Sequence, residues 1–289
     1  MNKFYIQVVF FLLSVSVYPN NKTLGSEPNP GKAAETKSKD SCATSEEIYE
    51  QNKHLLCPNP EEANAAIKLM GEALIHLVYH ATNKEGYKYI GDNPDYDLYY
   101  YKKKHNDNTN VEKYQYKVRD PNKYNETINE LWDPNSDHFL DRYSCKKKIV
   151  RVYSPNLVII QQRYKNWPLT RQKYFYVLVK KSQISENKTI ITMTSPNIND
   201  GYPSDKEYKN RIIENANLFT TDIDSEEDIR NGKLNKAVVN IAGYIIQKKS
   251  DHIYVTFIRS HYIYLSIDVF FLRLMNMVPI NKNALLKRL

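Results

Sequence analysis

"RQKYFYVLVKKSQISENKTIITMTS", Arg171 to Ser195, decides the class of this chain. Gln172–Lys180 and Lys188–Ser195 are rich in β-branched and aromatic residues, and the cluster "SEN" between them reads as a turn. Two strands joined tightly are the expectation. Working outward, "SPN" parts two more candidate strands, Lys148–Ser154 and Leu157–Tyr164, and "KSD" parts Lys236–Gln247 from Ile253–Arg259. A further strand is predicted at Leu218–Ile223. Nearer the N-terminus, "YDLYYYKKK" and "VEKYQYKV" alternate, the second setting Tyr114, Tyr116 and Val118 against Lys113, Gln115 and Lys117. That period, with one polar face, describes half-buried antiparallel strands.

Helical patterns bracket the strands. "CPNPEEANAAIKLMGEALIHLVYHATN" places Ala63, Ala66, Ile67, Met70, Leu74, Leu77, Val78 and Ala81 on one stripe. Asn59 caps it, Pro60 opens its first turn, and Glu61 and Glu62 complement the dipole. "DPNKYNETINELWDPNSD" returns to helical spacing at Tyr124, Ile128 and Leu131 and stops at Asp133-Pro134. Strands in the middle with helices at the ends make an α+β protein.

The first 18 residues, "MNKFYIQVVFFLLSVSVY", hold one lysine and an uncharged run from Phe4 to Tyr18. That run is the length of a signal-peptide apolar region and short of the ~20 residues that span a bilayer, so residues 1–18 read as a secretory signal, with an uncleaved anchor as the alternative. Residues 19–44, with Pro, Gly, Ser and Lys and almost nothing apolar, read as a flexible leader. Residues 45–289 form one large domain.

Three cysteines, Cys42, Cys57 and Cys145, allow one internal disulfide at most, leave pairing of Cys42 with Cys57 open, and show no metal-ligand spacing. The net charge of +8 is spread along the chain. Runs such as Lys102–Lys104 and Lys146–Lys148 suit solvated strand ends, or attraction to anionic headgroups. No nucleic-acid recognition motif is present. His76 and His80 stand four apart, but Leu77 follows the first where a metalloprotease needs glutamate, so helix packing is the reading. The sequence contains no nucleophile elbow, Walker loop or dinucleotide fingerprint, and eight glycines leave little material for phosphate loops. We therefore expect no enzyme, no cofactor and no metal.

The order of elements, with "LWD" at Leu131–Asp133 before "KKIVRVY", resembles the START family. That resemblance implies a helix-grip fold: a curved antiparallel sheet around a long C-terminal helix, with one lipid in the tunnel between them. Several segments in order, "SEEIYEQNKHLLCPNP", "KYNETINELWDP", "KIVRVYSPNLVIIQQRYKNW", "RIIENANLFTTDIDSEEDIRNGKL" and "VNIAGYII", look like the fam-a proteins of rodent malaria (Plasmodium) parasites. This likeness implies secretion, with export to the host cell or the parasitophorous vacuole, and transfer of a phospholipid, foremost phosphatidylcholine, by a monomer making transient contact with membranes. The competing expectation is an exported host-interaction module with the same fold and a filled tunnel.

A lipid tunnel needs apolar walls and a few inward polar groups. Leu157, Ile159, Gln161 and Arg163 share one strand face, and Val158, Ile160, Gln162 and Tyr164 the other. Sequence does not choose the inner one. Gln161 and Arg163 are the favoured pair, because a guanidinium fork suits a phosphate. Arg151 and Tyr153 are candidates on the neighbouring strand, with a surface role for Arg151 as the alternative. Tyr174 and Tyr176 could stack on a choline-like cation. Asn240 breaks an apolar strand, and a turn backbone would account for it equally well. At the C-terminus, Phe270, Phe271, Leu274 and Met277 fall at helical spacing before Pro279 and read as the lid of the tunnel.

Overall fold

The structure, a computed structural model, describes residues 42–106, 109–136, 145–165, 171–204 and 209–262. The proposed signal, most of the leader and the proposed lid residues Phe270, Phe271, Leu274 and Met277 lie outside the described residues. Thr44 caps α1 (Ser45–Gln51) in a reciprocal box with Glu47. The end of the expected leader is therefore anchored: Ala43 N–H also donates to Asp133 at 3.0 Å.

Asn59 accepts from the backbone of Glu61 and Glu62 and starts α2 (Pro60–Thr82), as its sequence predicts. Strands β1 (Lys88–Asn93), β2 (Leu98–Asn106) and β3 (Thr109–Val118) follow, then α3 (Tyr124–Trp132). Next come β4 (Lys146–Ser154), β5 (Leu157–Tyr164), β6 (Lys173–Ser185), β7 (Lys188–Thr194), β8 (Asn197–Asn199) and β9 (Thr220–Asp222). A short α4 (Glu227–Arg230) precedes β10 (Asn235–Lys236), β11 (Val238–Lys248) and β12 (Ile253–Tyr262).

The main sheet runs β1-β2-β3-β12-β11-β7-β6-β5-β4, antiparallel throughout, with β10 added in parallel to β6. The predicted strand at Leu218–Ile223 shrinks to β9, which pairs in parallel with β8 outside this sheet.

Each sheet face has its own cover. On one, α2 lies across β3, β12, β11, β7 and β6. Gly243 makes that approach possible: at φ 151°, a Cβ there would stand 2.2 Å from Ile191 O and 2.8 Å from a methyl of Leu77. The helix turns slightly from the stripe its sequence suggests. Ile67 is 49% exposed, whereas Leu69, Ala73 and His80 are buried. Lys113, placed by alternation on a solvent face, is buried too, because its ammonium reaches back to Asn83 O at 2.7 Å and caps the end of α2.

The opposite face is covered by α1 and α3. Ile48, Tyr124, Ile128, Leu131 and Trp132 pack there on Val152, Val158, Ile160, Val177 and Val179. A row of stacked rings crosses this face from β2 to β11. Tyr100 lies on Tyr114 (4.6 Å between centroids), Tyr114 on Phe257 (5.9 Å), and Phe257 on Tyr244 (4.5 Å).

Candidate functional site

A cavity of about 160 Å³ opens between the end of α3 and the sheet face it covers. Alternation decides its walls. Ile160, Gln162 and Tyr164 enter from β5; Phe175, Val177 and Val179 from β6; Val239, Ala242 and Tyr244 from β11. Leu131, Trp132 and Asp133 close it from the helix end, and Met193 and Phe257 complete the apolar lining. The Trp132 indole is 4% exposed, and its Nε1–H is buried without a hydrogen-bond partner among the described residues. Such a donor suits an acceptor brought by a ligand.

The polar pole belongs to β12 and β3. Arg259, 6% exposed, donates through Nε to Glu112 and through Nη2 to Tyr114 Oη at 2.9 Å, while Tyr114 donates to Glu112 at 3.0 Å. The registered pair Arg259↔Glu112 sets the two opposite each other across the ladder. Lys147 and Gln162 add polar atoms at the β4–β5 side, and Glu130 stands at the rim. Burial, then the nearby Glu126, pushes the Glu130 carboxyl up from its ordinary range. The cavity thus combines an aliphatic and aromatic wall with a charge-neutral polar cluster, an arrangement for an amphiphile.

Gln161 and Arg163 do not face this cavity. They point from the other side of β5, where Arg163 forms a fork with Asp228 (2.7 and 3.0 Å) and reaches Glu226 at 2.7 Å. Gln161 donates to Tyr176 Oη and to Glu226. The fork suited to phosphate is spent on carboxylates that pin α4 to the sheet. Glu226 is held down to about 2: burial opposes this, but hydrogen bonds from Lys148, Gln161 and Arg163 outweigh it.

Arg151 and Tyr153 are likewise engaged elsewhere. Both bond Glu62 of α2, Arg151 at 2.9 Å and Tyr153 at 2.6 Å, and Thr221 donates to the same carboxylate. Burial raises Glu62, yet the hydrogen bonds from Tyr153 and Thr221 and the charge of Arg151 leave it below the ordinary range. Tyr174 donates to the buried Asp200 at 2.9 Å, which also pairs with Lys236 at 2.8 Å. Asn240 takes the turn role: its Oδ1 accepts from Arg211 N at 2.8 Å and its Nδ2 donates to Ser260.

Of the expected residues that the structure describes, Tyr176 lines a different cavity. That second space, about 250 Å³, is bounded by Ser195, Tyr202, Lys209, Asn217 and Lys236 on the α2 side of the sheet. It is the larger but the more polar, and Lys236 is already committed to Asp200 and Ile198 O. The first cavity has the chemistry of an apolar binding site.

Arg259, Glu112 and Trp132 are the residues sequence reading missed as a site. "IYVTFIR" carried the signal: Ile253, Val255 and Phe257 share a face that Arg259 breaks, opposite a strand whose matching face holds Glu112.

No protein-family model matches the chain, and no curated protein matches its sequence. Among solved structures, human StAR-related lipid transfer protein 5 is similar over 73% of this chain and 91% of its own, with a TM-score of 0.52 and 11% identity. Human STARD10 is similar over 66% of each chain, with a TM-score of 0.44 and 10% identity. The first likeness is one of fold, and the chain has the α+β helix-grip fold of StAR-related lipid transfer domains.

Proposed function

We propose that the protein binds one lipid in the cavity beneath α3 and transfers it between membranes without covalent chemistry. The observation that carries this reading is the apolar cavity with Arg259, held by Glu112 and Tyr114, at one pole and, in its wall, the Trp132 donor that has no partner among the described residues. The fold shared with human StAR-related lipid transfer protein 5 supports it. Secretion and phosphatidylcholine as cargo belong to the same proposal. Their support is the apolar N-terminal run and the likeness of the quoted segments to fam-a proteins, which makes phosphatidylcholine the first ligand to test.

One observation favours a second reading. The stacked Tyr100, Tyr114, Phe257 and Tyr244 occupy part of the face where a tunnel would run, and the remaining 160 Å³ is below the ~300–1,000 Å³ of small-molecule pockets. A protein of this kind would keep the fold for contact with partners and carry no cargo. Native mass spectrometry of the purified chain, together with extraction from labelled liposomes, separates the two. A bound lipid and its delivery to acceptor vesicles support the carrier, and neither bound lipid nor extraction from any phospholipid or sterol vesicle rejects it.

A further inference from the structure

The first edge of the sheet has an unusual surface. Tyr79, Tyr89, Ile90 and Tyr99 are large apolar side chains left 37%, 56%, 44% and 41% exposed. Register gathers them. Tyr89 is opposite Tyr101 with ring centroids 5.8 Å apart, Tyr99 is opposite Asp92, and Tyr101 is opposite Lys113 on the next strand.

Cations thread the same face. Lys103 Nζ lies 5.6 Å from the Tyr79 ring, and Lys113 Nζ lies 4.0 Å from the Tyr87 ring. Neither lysine has a carboxylate partner among the described residues, and Lys84 is exposed beside them. Burial lowers Lys113 to about 8, and the charges of Lys84 and Lys103 push in the same direction.

Two structural roles account for part of this. Lys113 caps α2, and lysine on an edge strand discourages pairing with another chain. Neither role calls for exposed Tyr89, Ile90 and Tyr99, since an edge is guarded by charge and a helix end by cations. Exposed tyrosines beside lysines, with Asp92 accepting from Tyr89 Oη as a carboxylate among them, have the composition of a surface seated at a membrane interface, the rings at headgroup depth and the ammoniums on anionic lipid.

We propose that the α2-side face of β1 and β2 is a docking surface for an anionic lipid bilayer. The surface stands whether or not the cavity loads a lipid. A failure of lipid extraction with vesicle binding intact would count only against the carrier reading.

The test is sedimentation of the full chain with phosphatidylcholine vesicles made with and without phosphatidylserine. Binding is expected with phosphatidylserine, weakening as salt is raised. Tyr89→Ser with Tyr99→Ser, and separately Lys84→Glu with Lys103→Glu, should each weaken it about tenfold while melting as the parent does. Leu218→Ser, altering a side chain 78% exposed elsewhere, should leave it unchanged. Undiminished binding by both double variants, equal binding to neutral vesicles, or a dimer that the same substitutions abolish would each overturn the proposal, the last in favour of a second copy of the chain.

Discussion

Arg259 and Trp132 bear on the cavity in opposite ways. Arg259→Met strands the Glu112 carboxylate in a mostly buried place and should cost about 3–5 kcal/mol in urea unfolding. Adding Glu112→Leu should recover most of that loss, because both charges then leave together. Trp132→Phe removes a donor with no partner among the described residues but leaves a smaller ring in the core, so stability should fall by about 1–2 kcal/mol. Lipid retained through purification, read by native mass spectrometry, should also fall. At this scale the sequence was least legible. Gln161 and Gln162, or Arg163 and Tyr164, differ only in which face they take, and all of Leu157–Ile160 is buried because both sheet faces are covered. A two-sided core erases the contrast on which period-two reading depends.

Among elements, Thr220–Arg230 adds ion pairs to the burial of Ile223 and Ile229, whereas α2 is held by close packing. Gly243→Ala forces a Cβ against Ile191 O and Leu77 at a backbone angle that side chains disfavour, and should lower stability by at least ~2 kcal/mol in thermal melts. The charged segment should respond to acid instead. Glu226 at about 2, and Glu62 and Asp228 below their ordinary values, all bind protons less readily folded than unfolded. Their contribution is therefore complete above the unfolded carboxylate range, ~4.3, and is withdrawn as the pH falls toward 2. Amide protection factors at Thr220–Arg230, corrected for intrinsic exchange, should fall between about pH 5 and pH 2 before those of β11, and Glu226→Gln should reproduce the loosening at neutral pH. Equal protection of both segments at low pH would refute this. Helices α2 and α3 were readable: Asn59-Pro60 and Asp133-Pro134 mark an end of each with local chemistry that tertiary contacts did not override. The short β8 gave no such local signal, and the parallel pairing of β9, which lies within the expected Leu218–Ile223 strand, could not be read because it joins residues far apart in the chain.

For the molecule as a whole, the α+β class and most strand positions could be read from turn clusters and alternation, while the strand order could not, because hydrogen-bond partners leave little trace in one sequence. That order has a temporal consequence. β3 pairs on one side with its neighbour β2 and on the other with β12, which begins more than a hundred residues later at Ile253. During synthesis the β1–β3 meander therefore exists with its inner edge open until nearly the whole described chain has emerged. Closure of that seam is a late event dominated by loop entropy, and refolding should fall in the slow millisecond-to-second regime of sheets with distant pairings. The unpaired edge of β3 is where a chaperone would find this protein before the seam closes.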